Sequence, residues 1–154
     1  DTFRVTSGLV NWTNVEAIDG GAGTADKIVA TSSDDALNFS TLLLTGIETI
    51  DLGSGNDRVI GTAGAEAYIG GAGNDTFVFA FGSGHDSISD FKGGAGIVDV
   101  LELSAGSAFD TYSELMSAAD QSGANTVITL DANTSITLLN VSKTSLLADD
   151  FRFV

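Results

Sequence analysis

Gly70-Gly71-Ala72-Gly73-Asn74-Asp75-Thr76-Phe77-Val78 decides how this chain folds. Glycine holds positions one, two and four of the nonapeptide, Asp position six and a large apolar residue position eight. The glycines permit a tight turn that a Cβ would obstruct. The Asp offers a hard oxygen ligand of the kind divalent cations take. The residues after it form a short strand whose middle side chain points inward.

Register shows that the match is not chance. Nine residues upstream stands Gly61-Thr62-Ala63-Gly64-Ala65-Glu66-Ala67-Tyr68-Ile69, and nine further back Leu52-Gly53-Ser54-Gly55-Asn56-Asp57-Arg58-Val59-Ile60. Downstream the frame slips at Phe79-Ala80 and resumes as Phe81-Gly82-Ser83-Gly84-His85-Asp86-Ser87-Ile88-Ser89. A looser copy, Gly20-Gly21-Ala22-Gly23-Thr24-Ala25-Asp26-Lys27-Ile28, has one residue inserted before its Asp. Val59, Tyr68, Phe77 and Ile88 are expected to point inward. Arg58, Ile60, Thr76 and Val78 should face out or toward a flanking layer.

These in-frame nonamers resemble the RTX, or hemolysin-type calcium-binding, family. The resemblance implies an all-β fold, a parallel β-roll in which successive nonamers alternate between two stacked sheets. It also implies calcium between turns two repeats apart. On this chain Asp57 and Asp75 would face one ion, with carbonyls of the Gly53–Gly55 and Gly71–Gly73 turns completing its shell. Glu66 and Asp86 fall on the opposite edge, in a site expected to be weaker because Glu66 replaces Asp and Thr62 replaces Gly. The same likeness makes Gly21, Gly23 and Asp26 candidates in the looser copy, Asp51 ahead of the Gly53 turn, and Gly82 and Gly84 beside Asp86. The family often closes its array with a similar Asp-Phe and a later Asp, here Asp90-Phe91 and Asp99; the plainer reading is that these two carboxylates cap turns. About three to six calcium ions are expected. Without them the turns crowd carboxylates against one another, so folding should require the metal.

Composition fits. The 154 residues carry 21 Asp and Glu against 6 Lys and Arg, a formal charge of −15. Such a field repels nucleic acid and anionic membranes. With 43% hydrophobic residues the chain can still bury a core. There is no Cys, hence no disulfide framework, and no Pro. No apolar run approaches the roughly 18 residues of a membrane-spanning helix. The chain opens at Asp1 with no signal peptide and reads as a piece of a longer polypeptide.

Organisation follows from the repeats. Residues 1–103 are expected to form the roll, regular over 52–91 and degenerate over 12–50, and residues 104–154 a C-terminal cap. A longer repeat aligns Asn14–Gly23 with Gly46–Gly55, an offset of 32, and Asp35–Ser40 echoes Asp99–Ser104. Residues 24–45 read as loop or degenerate coil. Phe79 and Phe81 are expected where the regular roll gives way. In the cap, Thr111 and Glu114 have capping-box spacing, Leu115, Met116 and Ala119 continue at helical spacing, and Gly123 offers a stop. Thr126–Leu130 and Ser135–Leu139 alternate around Asp131-Ala132-Asn133-Thr134 as a hairpin. The acidic then hydrophobic end, Leu146–Phe153, resembles the C-terminal signals of RTX proteins exported by type I systems. It also reads as a last strand with Phe151 and Phe153 inward and Arg152 outward.

Catalytic constellations are missing. His85 is the one histidine, expected as a solvent-facing turn residue, which leaves little for a zinc site. Neither a G-x-S-x-G nor an H-E-x-x-H sequence occurs. The expectation is a non-catalytic calcium-binding module with a type I secretion signal, exported to the extracellular space or cell surface as part of a larger protein. Its alternative is a calcium-dependent polysaccharide- or surface-binding module, with Trp12 and two tyrosines as stacking candidates.

Overall fold

The computed structural model describes residues 1–6, 15–96, 99–104 and 109–154. Successive coils of the roll contribute short strands to two main parallel sheets. Strands are numbered along the chain. The first sheet runs β1 (Thr2–Arg4), β3 (Lys27–Val29), β6 (Thr49–Asp51), β8 (Ala67–Ile69), β10 (Gly84–Ile88), β14 (Thr134–Leu138), β13 (Asn125–Asp131) and β12 (Ala119–Ser122). The second runs β4 (Ala36–Asn38), β7 (Arg58–Ile60), β9 (Thr76–Phe79), β11 (Val100–Leu103) and β15 (Phe151–Phe153). A small third sheet pairs β2 (Ala17–Asp19) with β5 (Leu43–Thr45).

All pairings are parallel except β12 with β13 and β13 with β14. Ile28, Ile50, Tyr68 and Ile88 align across the first sheet, so successive coils are 22, 18 and 20 residues long. Leu37, Val59, Phe77 and Leu101 align across the second, at 22, 18 and 24. These central side chains are all buried. Tyr68 meets Phe77 edge-on across the core at 5.8 Å between ring centroids, and Phe77 meets Phe91 at 6.4 Å. A lone coil could bury none of them, so the stack is the folding unit. Of the side chains expected outside, Arg58 is exposed and Ile60 and Thr76 half-covered, whereas Val78 is buried.

Several expectations need correction. The 32-residue repeat is not a stacking register: β2 lies against β5, while β6 stacks on β3. The echo of Asp35–Ser40 in Asp99–Ser104 is one, since β4 and β11 are three coils apart in the same sheet. Residues 24–45 form a full coil with β3, β4 and β5. The roll also outlasts the slip at Phe79. Phe79 is buried and pairs with Leu103, and only Phe81, 47% exposed, is displaced by the extra residues.

Both sheets run on past residue 104, because β14 adds parallel to β10 and β15 parallel to β11. The helix α1 (Tyr112–Ser117) starts as expected, with Thr111 Oγ1 accepting from the Glu114 amide. It ends at Ala118, not at Gly123. Ala119 is instead buried at the head of β12, and Gly123, at φ 62, takes the first central place of a two-residue hairpin turn. His85 is exposed but belongs to β10, its Nδ1 2.9 Å from Ser135 Oγ.

Candidate metal centre

The residue that enters each strand of the second sheet is an aspartate. Asp35, Asp57, Asp75 and Asp99 therefore stack along one edge of the roll. The amide of Asp35 donates to Asp57 Oδ1 at 2.8 Å, that of Asp57 to Asp75 Oδ1 at 2.9 Å, and that of Asp75 to Asp99 Oδ1 at 2.9 Å. The opposite edge carries Asp26, Glu48, Glu66 and Asp86. Here the Asp26 amide donates to Glu48 Oε2 at 2.7 Å and the Glu66 amide to Asp86 Oδ1 at 2.9 Å.

Glycine makes the stacking possible. Gly71 and Gly73 have φ of 91° and 131°, which L side chains rarely adopt. A Cβ on Gly73 would lie 1.8 Å from the Gly55 carbonyl oxygen, and one on Gly71 2.0 Å from that of Gly53. The turns thus bring backbone carbonyl oxygens against the turns above them.

Each ladder bond uses one carboxylate oxygen. Asp26 stands apart, its Oδ1 paired with the Asp1 terminal ammonium. The second oxygens of Asp26, Asp57 and Asp75 are buried and have no hydrogen-bond partner. Burial, together with the neighbouring carboxylates, pushes Asp57 up to about 7 and Asp75 up to about 6. Asp86, buried beside Glu66, is pushed up to about 8, and burial raises Asp99 as well. A buried anion with an unfilled oxygen is costly and calls for a proton or a cation. Among the described residues no three His, Cys, Asp or Glu side chains converge on one point. A cation here would take pairs of carboxylates and complete its shell with backbone oxygens, as hard cations do. The donor set fits calcium on both counts.

The other candidates sort by position. Asp90 accepts from the Gly70 and Gly71 amides, each at 2.8 Å. Asp99 is filled on both oxygens, the second by the Lys92 amide at 2.8 Å. Glu66 is held by Thr62, through its hydroxyl and, at 3.2 Å, its amide, and it has no orphaned oxygen. Gly23 abuts Asp26, where a Cβ would lie 2.2 Å from Oδ2, and Gly21 shapes the same turn at φ 86. Gly84 packs on the Gly64 carbonyl, and the Gly82 amide donates to Thr134 Oγ1 at 2.8 Å. Asp51 is not brought into either column. It ends β6, half-exposed, with Lys27 Nζ 4.0 Å away.

A match to known proteins settles the kinship. Residues 38–153 fit the family model described as Peptidase M10 serralysin C terminal. The chain belongs to the serralysin C-terminal family. This serralysin-type module is an RTX repeat domain with a parallel β-roll. It also superposes on the extracellular lipase LipA from Serratia marcescens with a TM-score of 0.50 at 19% identity, over 100% of this chain and 20% of that one. The module thus spans a fifth of that lipase. No curated protein matches it.

The serralysin-type roll uses two acidic residues that the nonamers do not reveal. Asp35 lacks flanking glycines, yet its echo in Asp99 marks it. Glu48 also stands outside a Gly-rich turn, but it lies 18 residues before Glu66, one regular coil. Asp34 starts a second ladder outside the first: the Asn56 amide donates to Asp34 Oδ1 at 2.7 Å, and the Asn74 amide to Asn56 Oδ1 at 3.0 Å.

Proposed function

We propose that this chain is a calcium-gated folding module that carries the export signal of a larger extracellular protein. The observation that carries the reading is the set of buried, unpartnered carboxylate oxygens on Asp26, Asp57 and Asp75. Asp57 and Asp75 would hold one ion with carbonyls of the Gly53–Gly55 and Gly71–Gly73 turns. Asp26 with Glu48 would serve a further position, and Asp35 with Asp57 a weaker one, because the Thr31 amide and hydroxyl already occupy the Asp35 carboxylate. Glu66 and Asp86 would form a poorer site, because Thr62 already occupies the Glu66 carboxylate. Bound calcium supplies the positive charge that a chain of net charge −15 lacks.

Extracellular calcium modules bind with dissociation constants of about 10⁻⁴ to 10⁻³ M. At cytosolic calcium such sites stay empty, the carboxylate columns repel and the chain stays open. The C-terminal segment 146–153 is then free to be read by a type I exporter. Folding outside the cell withdraws it: Phe151 is buried in β15 and Arg152 is paired with Glu102 at 3.0 Å.

Among the described residues neither tyrosine offers a stacking platform for the polysaccharide-binding alternative. Tyr68 is buried and Tyr112 donates its hydroxyl to the Leu146 carbonyl at 2.8 Å, while Trp12 lies outside the described residues.

The test is far-UV circular dichroism with calorimetry, titrating from chelator to about 10 mM calcium. A cooperative coil-to-β transition with heat of binding is expected. A chain already folded in chelator, with no heat on adding calcium, would overturn the proposal.

A further inference from the structure

The two ends of the Asp35–Asp57–Asp75–Asp99 column are built differently. The charges that act on Asp57 are those of the acids Asp75, Asp35 and Asp34. The last members, Asp75 and Asp99, also feel the charge of a lysine, Lys92. The Lys92 ammonium donates to the Gly71 carbonyl oxygen. Its charge favours the ionised forms of both Asp75 and Asp99.

The equivalent carbonyl one coil earlier, that of Gly53, receives the Ala72 amide at 3.1 Å. At Gly71 that place is taken by the Lys92 ammonium. The next coil is longer, 24 residues from Phe77 to Leu101, and is closed at Lys92 and Asp99: the Lys92 amide donates to Asp99 Oδ2 at 2.8 Å, and the Asp99 amide to the Lys92 carbonyl at 2.9 Å. That closure aims the Lys92 side chain back over the Gly71 turn.

We infer that Lys92 is a tethered cation that takes the place of a calcium ion at the last turn of this edge, so that the position between the Gly71 turn and Asp99 closes without metal. The inference rests on the calcium reading proposed above. It makes calcium demand unequal along the roll: the Asp35–Asp57–Asp75 stretch depends on the ion, and the stretch next to β11 and β15 does not. The covalent tether gives the ammonium a high effective concentration at this position, which dilute calcium does not match.

The experiment counts ions. Calcium binding to the whole chain, to Lys92→Met and to Lys92→Arg is measured by calorimetry, with circular dichroism reporting the folded fraction at each point. Lys92→Met should bind one ion more than the parent chain and need more calcium to fold. Lys92→Arg, which keeps the charge, should keep the parent's ion count. An unchanged count in Lys92→Met, with the parent binding calcium, would overturn the role of Lys92 alone. No binding by the parent chain would overturn the calcium reading itself. Should Lys92→Met not fold at any calcium level, Lys92→Gln is measured instead, with the same two outcomes.

Discussion

At the residue scale, the deciding feature is one carboxylate oxygen used and one left over. Asp57 accepts from the Asp35 amide through Oδ1 and keeps Oδ2 buried and unpartnered. The local consequence has a definite sign. Asp57→Asn removes a buried charge, so the chelated chain should gain stability. In calcium the same variant should lose an ion and need more calcium to reach its midpoint, measured by titration against the parent. Gly73→Ala acts through geometry instead, because its Cβ would strike the Gly55 carbonyl at φ 131. Strain of this kind costs about 1–3 kcal/mol. A chemical denaturation curve in saturating calcium should show a loss of that size. A Gly73→Ala chain as stable as its parent would mean that the turns yield more easily than the stack implies.

At the scale of elements, the strands are too short to stand alone, and their stability lies in alignment. Phe77 is fully buried at the centre of β9, touching both Tyr68 and Phe91. Phe77→Ala should cost about 3–5 kcal/mol. Against a typical total of about 5–15 kcal/mol, that leaves the roll folded only at high calcium. The C-terminal strand depends on a different device. Asp150 is fully buried and accepts from Gly94 at 2.8 Å and from Leu147 at 2.7 Å. Asp150→Ala strands both donors and should cost about 1–3 kcal/mol, with amide exchange quickening first in residues 146–153. How far the sequence revealed these elements follows the same division. The nonamer frame located β7, β8 and β9 because glycine, Asp and apolar residues recur at fixed places. It did not reveal Asp35 or Glu48, whose coils keep the acid but have lost the glycines. It placed Gly123 at a helix end because a positive φ serves a helix stop and a hairpin turn equally well. Only the pairing of Ala119 with Ile128 separates the two.

At the scale of the whole molecule, charge and protons compete for the same oxygens. Asp75, Asp57 and Asp86 titrate in the folded chain at about 6, 7 and 8, all above the ordinary aspartate value of 3.8. A raised folded value means that protonation favours the fold. The contribution is therefore complete below about pH 4 and is lost as pH rises through about 6 to 8. In chelator the folded fraction should be greatest at acid pH and fall across that window. In saturating calcium the trend should reverse, since protons then displace the ion. Circular dichroism at a series of pH values, with and without chelator, checks both signs. A chelated chain whose folded fraction holds level from pH 4 to 8 would show that the columns are not strained.

The hairpin at the C-terminal end has a bearing on assembly. A pile of like rungs has no natural length, and an open parallel end is a template on which a second copy could continue the pile into a fibre. In the first sheet β13 turns back against β14, and β12 turns again, a four-residue edge whose last three side chains are exposed and polar. The reversed direction denies an incoming rung its register on that side. Size is thus set by a change of strand direction, and a chain cut before residue 119 would carry β10 as a bare growing tip.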